Sequence, residues 1–178
     1  GLIVTDSTAA LVYLAKKYQA TQWLPNDPIG AARVQRWLSV ASGELYRGPF
    51  VARAIKIFNR NADYEAARQT SEDLFKWMQR ELATRSWLAA DHATIADVAI
   101  YSYVRVADEG GLDLSPYSAI TRWLERVERL EGFEPSAERG QNDIAPKDVA
   151  DDLAVEEQKD SYGFVSHSAS ASSMVWVV

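Results

Sequence analysis

Cysteine is absent from all 178 residues, which excludes disulfide scaffolds, thiolate metal sites and a cysteine nucleophile within this chain. A reducing, cytoplasmic location is the expected one. Histidine occurs only as His92 and His167. They are far from the three- or four-residue spacing with which imidazoles on one helix face share a metal, so no metal site is expected. Uncharged apolar stretches fall well short of the roughly 20 residues a membrane span requires, and no basic-then-apolar signal opens the chain. No membrane partner is expected. A basic excess is missing as well: the formal net charge is −6, the wrong sign for nucleic-acid phosphates or anionic membranes. There is no G-x-S-x-G elbow and no G-x-x-x-x-G-K-[ST] loop, so hydrolase and nucleotide-phosphate chemistry have no support. An initiator is missing too. The chain starts at Gly1 and its only methionines are Met78 and Met174, from which a fragment or processed product is expected.

What is present is unevenly placed. Residues 136–178 hold 8 acidic against 3 basic side chains, whereas residues 1–135 hold 17 against 16. The charge therefore belongs to the tail, and the body is nearly neutral. Five of the six tryptophans lie in the body. The Ala-, Ser-, Asp- and Glu-rich tail cannot bury enough apolar surface to offset its ordering entropy. It is expected to be mostly disordered, with a short helix near residues 146–158 and an apolar end at residues 174–178.

The body reads as all helix. Leu2-Ile3-Val4-Thr5 is a short β-like run, and Asp6-Ser7 then offers side-chain oxygens to the free N–H groups of a helix through Leu11, Leu14 and Tyr18. Asp27 followed by Pro28 marks a second start, from which Val34, Trp37, Leu38, Ala41 and Leu45 form one stripe. Gly48-Pro49 predicts a kink or break, because proline removes a donor and clashes with the preceding turn. Another helix is expected over residues 63–83, a strongly apolar one from Thr94 to Ala107, and a last one from Ser115-Pro116 toward Gly132. Arg53, Lys56 and Arg60 recur at three-and-four spacing and read as one solvated helix face. Thr94-Ile95-Ala96-Asp97 has the form of a capping box, in which two orphan donors are satisfied reciprocally. Asp97 is therefore read as structural.

Trp87-Leu88-Ala89, Thr94-Ile95-Ala96-Asp97-Val98-Ala99, Pro116-Tyr117, Ile120, Trp123-Leu124 and Gly132-Phe133 occur in an order and spacing that resemble the helical C-terminal domain of bacterial glutathione transferases. Asp6-Ser7-Thr8-Ala9-Ala10-Leu11 with Tyr13-Leu14-Ala15 resembles the acid-serine step and helix that close the thioredoxin-like domain of that family. The resemblance implies an all-α chain, a glutathione transferase C-terminal-like helical bundle with a short N-terminal β-α remnant. Residues 1–18 would be the thioredoxin-like remnant, 19–135 the helical domain and 136–178 the acidic tail.

It further implies a detoxification reaction in which glutathione thiolate, supplied as co-substrate, attacks a hydrophobic electrophile. By the resemblance, Asp6 and Ser7 fall on the grip for the γ-glutamyl end of glutathione, with Asp6 shorter than the Glu or Gln common there. Tyr46 and Arg47 fall on the electrophile pocket, joined by Phe50, Ala99, Tyr103 and Val106. The Tyr, Ser or Cys that activates the thiol falls upstream of Gly1, so no catalytic residue is expected in this chain, which would be inactive alone, and the full-length parent would be a homodimer. The same domain type also serves as a non-catalytic assembly module. The Asp6-Ser7 step argues against that alternative, because an assembly module has no use for a glutathione grip.

Overall fold

The computed structural model describes residues 4–134, which lie in the first of two units, residues 1–135 and 136–178. Leu2 and Ile3 of the β-like run, and the tail with its expected helix and apolar end, lie outside the described residues. Among the described residues there is no strand.

Helix α1 (Ser7–Lys17) starts where Asp6 accepts the Ala9 N–H at 2.8 Å. Helix α2 (Pro28–Val40) starts where Asp27 accepts the Gly30 N–H at 2.8 Å, with Pro28 in the first position, where a missing donor costs nothing. Of the kink or break expected at Gly48-Pro49, the break does not occur. Val40 (φ −63°, ψ −39°) and Phe50 (φ −64°, ψ −48°) both keep right-handed helical angles, and the chain runs on through a π-helical segment (Ala41–Phe50) into α3 (Val51–Phe58). The wider i→i+5 turn accommodates the ring of Pro49, and Val51 donates to the Tyr46 carbonyl across it.

Helix α4 (Tyr64–Thr84) packs along this segment. The approach is close because residue 48 is glycine: a Cβ there would lie 2.9 Å from both the N and Oγ of Ser71. Helices α5 (Ile95–Val104) and α6 (Ser118–Glu128) complete the bundle, with a single 3₁₀ turn (Ala107–Gly110) between them. Trp37, Phe75, Met78, Ile100, Ile120 and Trp123 fill a core sealed from solvent. The linker before α2 is tied to α5 through its main chain, since the Ile95 N–H donates to the Trp23 carbonyl at 3.0 Å.

The capping box forms, and it is more than local. Thr94 Oγ1 accepts the Ala96 N–H at 3.3 Å, while the Thr94 N–H and hydroxyl donate to Asp97 Oδ2 at 2.9 and 3.1 Å. The other oxygen, Oδ1, accepts the Leu88 N–H at 3.0 Å and the Trp123 indole N–H at 2.9 Å. Burial pushes the Asp97 carboxyl above its ordinary range, against the pull of these donors.

Two predictions follow from this packing. Asp97→Ala strands the Leu88, Thr94 and Trp123 donors in the interior and should cost at least about 3 kcal/mol in urea denaturation. Gly48→Ala drives a methyl group into the backbone of α4 and should cost about 1–3 kcal/mol by the same measurement.

Candidate ligand-binding site

The π segment presents Tyr46 and Phe50 four residues apart, and their rings stack at 4.8 Å with an 18° tilt. Tyr103, from α5, meets Phe50 edge-on at 5.5 Å and 85°. These are favourable geometries for ring quadrupoles. Phe50 is buried, but Tyr46 is 42% exposed and offers ring surface to solvent. Three of the six residues expected at an electrophile pocket are thus brought together. Ala99, one turn before Tyr103 on α5, and Val106, just past the end of α5, are half-buried. Arg47 is exposed and turns to Glu44, 3.5 Å away.

A different guanidinium lies over the rings. The Arg60 guanidinium carbon is 5.9 Å from the Tyr46 ring centre and 5.8 Å from that of Phe50, with Nη2 donating to the Tyr46 hydroxyl at 3.5 Å. Sequence spacing placed Arg60 on one solvated face with Arg53 and Lys56, but α3 ends at Phe58. Arg60 therefore lies off the helix. The other two are engaged: Arg53 pairs with Glu109 at 2.6 Å, and the Lys56 ammonium sits 4.4 Å over the Tyr64 ring. The signal that could have found Arg60 is Asn59, a residue type that tolerates the left-handed helix-ending conformation it adopts here at φ 51°.

Asp6 and Ser7 lie at the start of α1, exposed. Asp6 Oδ1 accepts the Thr8 hydroxyl at 2.6 Å and the Ala9 N–H, and these bonds, the hydroxyl first, hold its carboxyl below the usual range. α1 and the π segment both pack on α5, so one helix backs the α1 start and the ring wall alike. Between α1 and α5 runs an apolar groove of about 260 Å³, lined by Leu11, Leu14, Tyr18, Trp23, Ile95 and Val98 and separate from the ring wall. Tyr101, on α5, donates to Glu128 at 3.1 Å. Burial and that carboxylate push its phenol up to about 12, which makes it a hydrogen-bond donor and a poor proton shuttle. Among the described residues no three His, Asp or Glu side chains gather as a metal would need, and no helix is long and apolar enough to cross a membrane.

The family model described as "Glutathione S-transferase, C-terminal domain" matches residues 43–131. Glutathione S-transferase 2 of Anopheles gambiae is 28% identical over 125 residues, which cover 69% of this chain and 60% of that protein. The crystal structure of a glutathione S-transferase from Pseudomonas fluorescens is 31% identical with a TM-score of 0.69, over 74% of this chain and 67% of that one. A sphingomonad glutathione S-transferase, solved in complex with glutathione, shares the fold at 20% identity and a TM-score of 0.61, over 72% of this chain and 63% of that one.

The depressed Asp6 carboxyl carries a sign. Its bonds favour the ionised form, so the cap should remain intact above the ordinary value of 3.8 and be lost only as pH falls through a lower folded value. An NMR titration should show the Asp6 carboxyl and the Ala9 amide sharing one midpoint below 3.8.

Proposed function

The chain belongs to the glutathione S-transferase family through its C-terminal helical domain, and on that premise we propose that it forms the electrophile side of an enzyme that joins the glutathione thiol to a hydrophobic, electrophilic small molecule. The observation that carries this reading is the ring wall, in which the partly exposed Tyr46 stacks on Phe50 and Phe50 is braced by Tyr103. A flat apolar substrate gains dispersion and quadrupole contact on such a face.

The start of α1 suits the other substrate. A helix N-terminus offers N–H groups and partial positive charge to a carboxylate, which fits the γ-glutamyl carboxylate of glutathione at Ser7. The Asp6 carboxylate would pair with the ligand ammonium. In the reaction the glutathione S–H gives its proton to an activating group. The thiolate then forms a C–S bond to the electrophilic carbon, and the displaced group leaves with the electron pair.

By the family resemblance the activating group comes from the thioredoxin-like domain, to which residues 1–18, a short β-α remnant, would belong. The exposed apolar side of α1, with Leu14 and Tyr18, is the surface that the rest of such a domain would cover. The chain spans about 60% of the length of Glutathione S-transferase 2 of Anopheles gambiae, in keeping with a role for it as one half of the catalytic unit. The working parent would be a homodimer.

A thermal-shift titration with glutathione tests the grip separately from turnover. At ten times its dissociation constant glutathione should stabilise the chain by about 1.4 kcal/mol, a Tm rise of about 5 °C. Asp6→Asn retains a capping oxygen, so it should leave the ligand-free Tm nearly unchanged and remove the rise. No rise in the unaltered chain at millimolar glutathione would refute the grip and favour the assembly-module alternative.

A further inference from the structure

We propose that Arg60 is the specificity-determining residue of the ring wall, selecting flat aromatic substrates that carry an acidic group such as a carboxylate or sulfonate. The proposal rests on the reading of the wall as the electrophile side of the site.

Its first support is how the chain delivers Arg60. α3 ends at Phe58 and is capped by Asn59, which holds left-handed angles (φ 51°, ψ 34°), and the N–H groups of Asn59 and Arg60 both bond back to the Ala54 carbonyl. These bonds reach five and six residues back, wider than a regular helical turn, and with the left-handed residue they stop α3 short of Arg60. Arg60 thus follows the helix stop, and its guanidinium carbon lies 5.9 and 5.8 Å from the Tyr46 and Phe50 ring centres.

The second support is charge. Arg53 is spent on Glu109, Arg47 on Glu44, and Lys56 on the Tyr64 ring. Arg60 has ring contacts and the Tyr46 hydroxyl, but pairs with no carboxylate among the described residues. Ring contact leaves most of a guanidinium's five N–H groups unused, and their planar fork matches a carboxylate or sulfonate in two-point geometry. An aromatic ring stacked on the open side of Tyr46 would bring a substituent to the edge of that fork. The same cation gives a neutral ring no comparable bond, so charge on the substrate is what Arg60 can read.

The test compares two fluorescent probes with one aromatic frame: 8-anilinonaphthalene-1-sulfonate and its neutral counterpart N-phenyl-1-naphthylamine, each titrated into the full chain. The sulfonate should bind about tenfold more tightly, in line with a charge-assisted pair. Arg60→Gln should abolish that preference and leave the neutral probe unaffected, while Lys56→Gln changes neither and Tyr46→Ala weakens both. Equal affinities in the unaltered chain, or a preference that survives Arg60→Gln, would overturn the role of Arg60 while leaving the wall in place, provided Tyr46→Ala still weakens both probes. If Tyr46→Ala weakens neither, the wall itself is not the binding surface and both readings fall.

Discussion

A carboxylate in an apolar interior is tolerable only when donors replace the water it has left, and the bundle is arranged to supply them to Asp97. Four donors converge on its two oxygens: the main chain at Leu88, the main chain and hydroxyl of Thr94, and the indole of Trp123. They come from the connection after α4, the start of α5 and the middle of α6. One side chain thereby fixes where three pieces of chain meet, and each donor would itself be stranded if the carboxylate moved. Such a network is stable as a set and unstable in parts. α5 is the helix that results, and both α1 and the π segment lean on it.

The rings owe their placement to a second constraint, the close crossing of α4 and the π segment. Glycine at 48 lets Ser71 approach within a distance that any side chain would forbid. The Ser71 hydroxyl is buried but satisfied by the Ala67 carbonyl at 2.7 Å, so no polar group is stranded at the crossing. With α4 seated there, Tyr46 and Phe50 are four positions apart on a segment whose two ends are held by regular helix. Their stacking is the product of a rigid backbone, and Tyr103 reaches it from a helix whose position Asp97 has already set.

The parts of this arrangement legible in the sequence are those governed by bonds of short span. The oxygens of Asp6, Asp27 and Thr94 meet N–H groups two or three residues on, and those helix starts could be read from neighbouring letters alone. The same was true of the local half of the Asp97 network. Its long half was hidden, because the Trp123 indole lies 26 positions away in sequence and nothing in either local pattern announces the other. Pro49 was half legible for a related reason: it marks the departure from regular α-helix, but the rule that proline breaks a helix assumes ordinary pitch, and a change of pitch evades it. Arg60 was misplaced because a spacing rule was carried past the residue at which the helix stops. Tyr46 and Phe50 were both named through family resemblance, and that their rings stack needed the fold.

The bond between the Ile95 N–H and the Trp23 carbonyl has a consequence for which replacements the bundle can accept. The first residue of a helix is ordinarily where proline is most welcome, since its N–H would find no partner within the helix. Position 95 is such a residue, yet its N–H is occupied by the linker. Proline there would leave α5 its preferred φ and sever the tie that seats α1 beside it. The linker is correspondingly indifferent to the side chain at position 23 as far as this bond goes, because it lends only a carbonyl. Permissiveness and stringency are thus exchanged between the two ends of one hydrogen bond, the helix start becoming the strict position and the loop the free one.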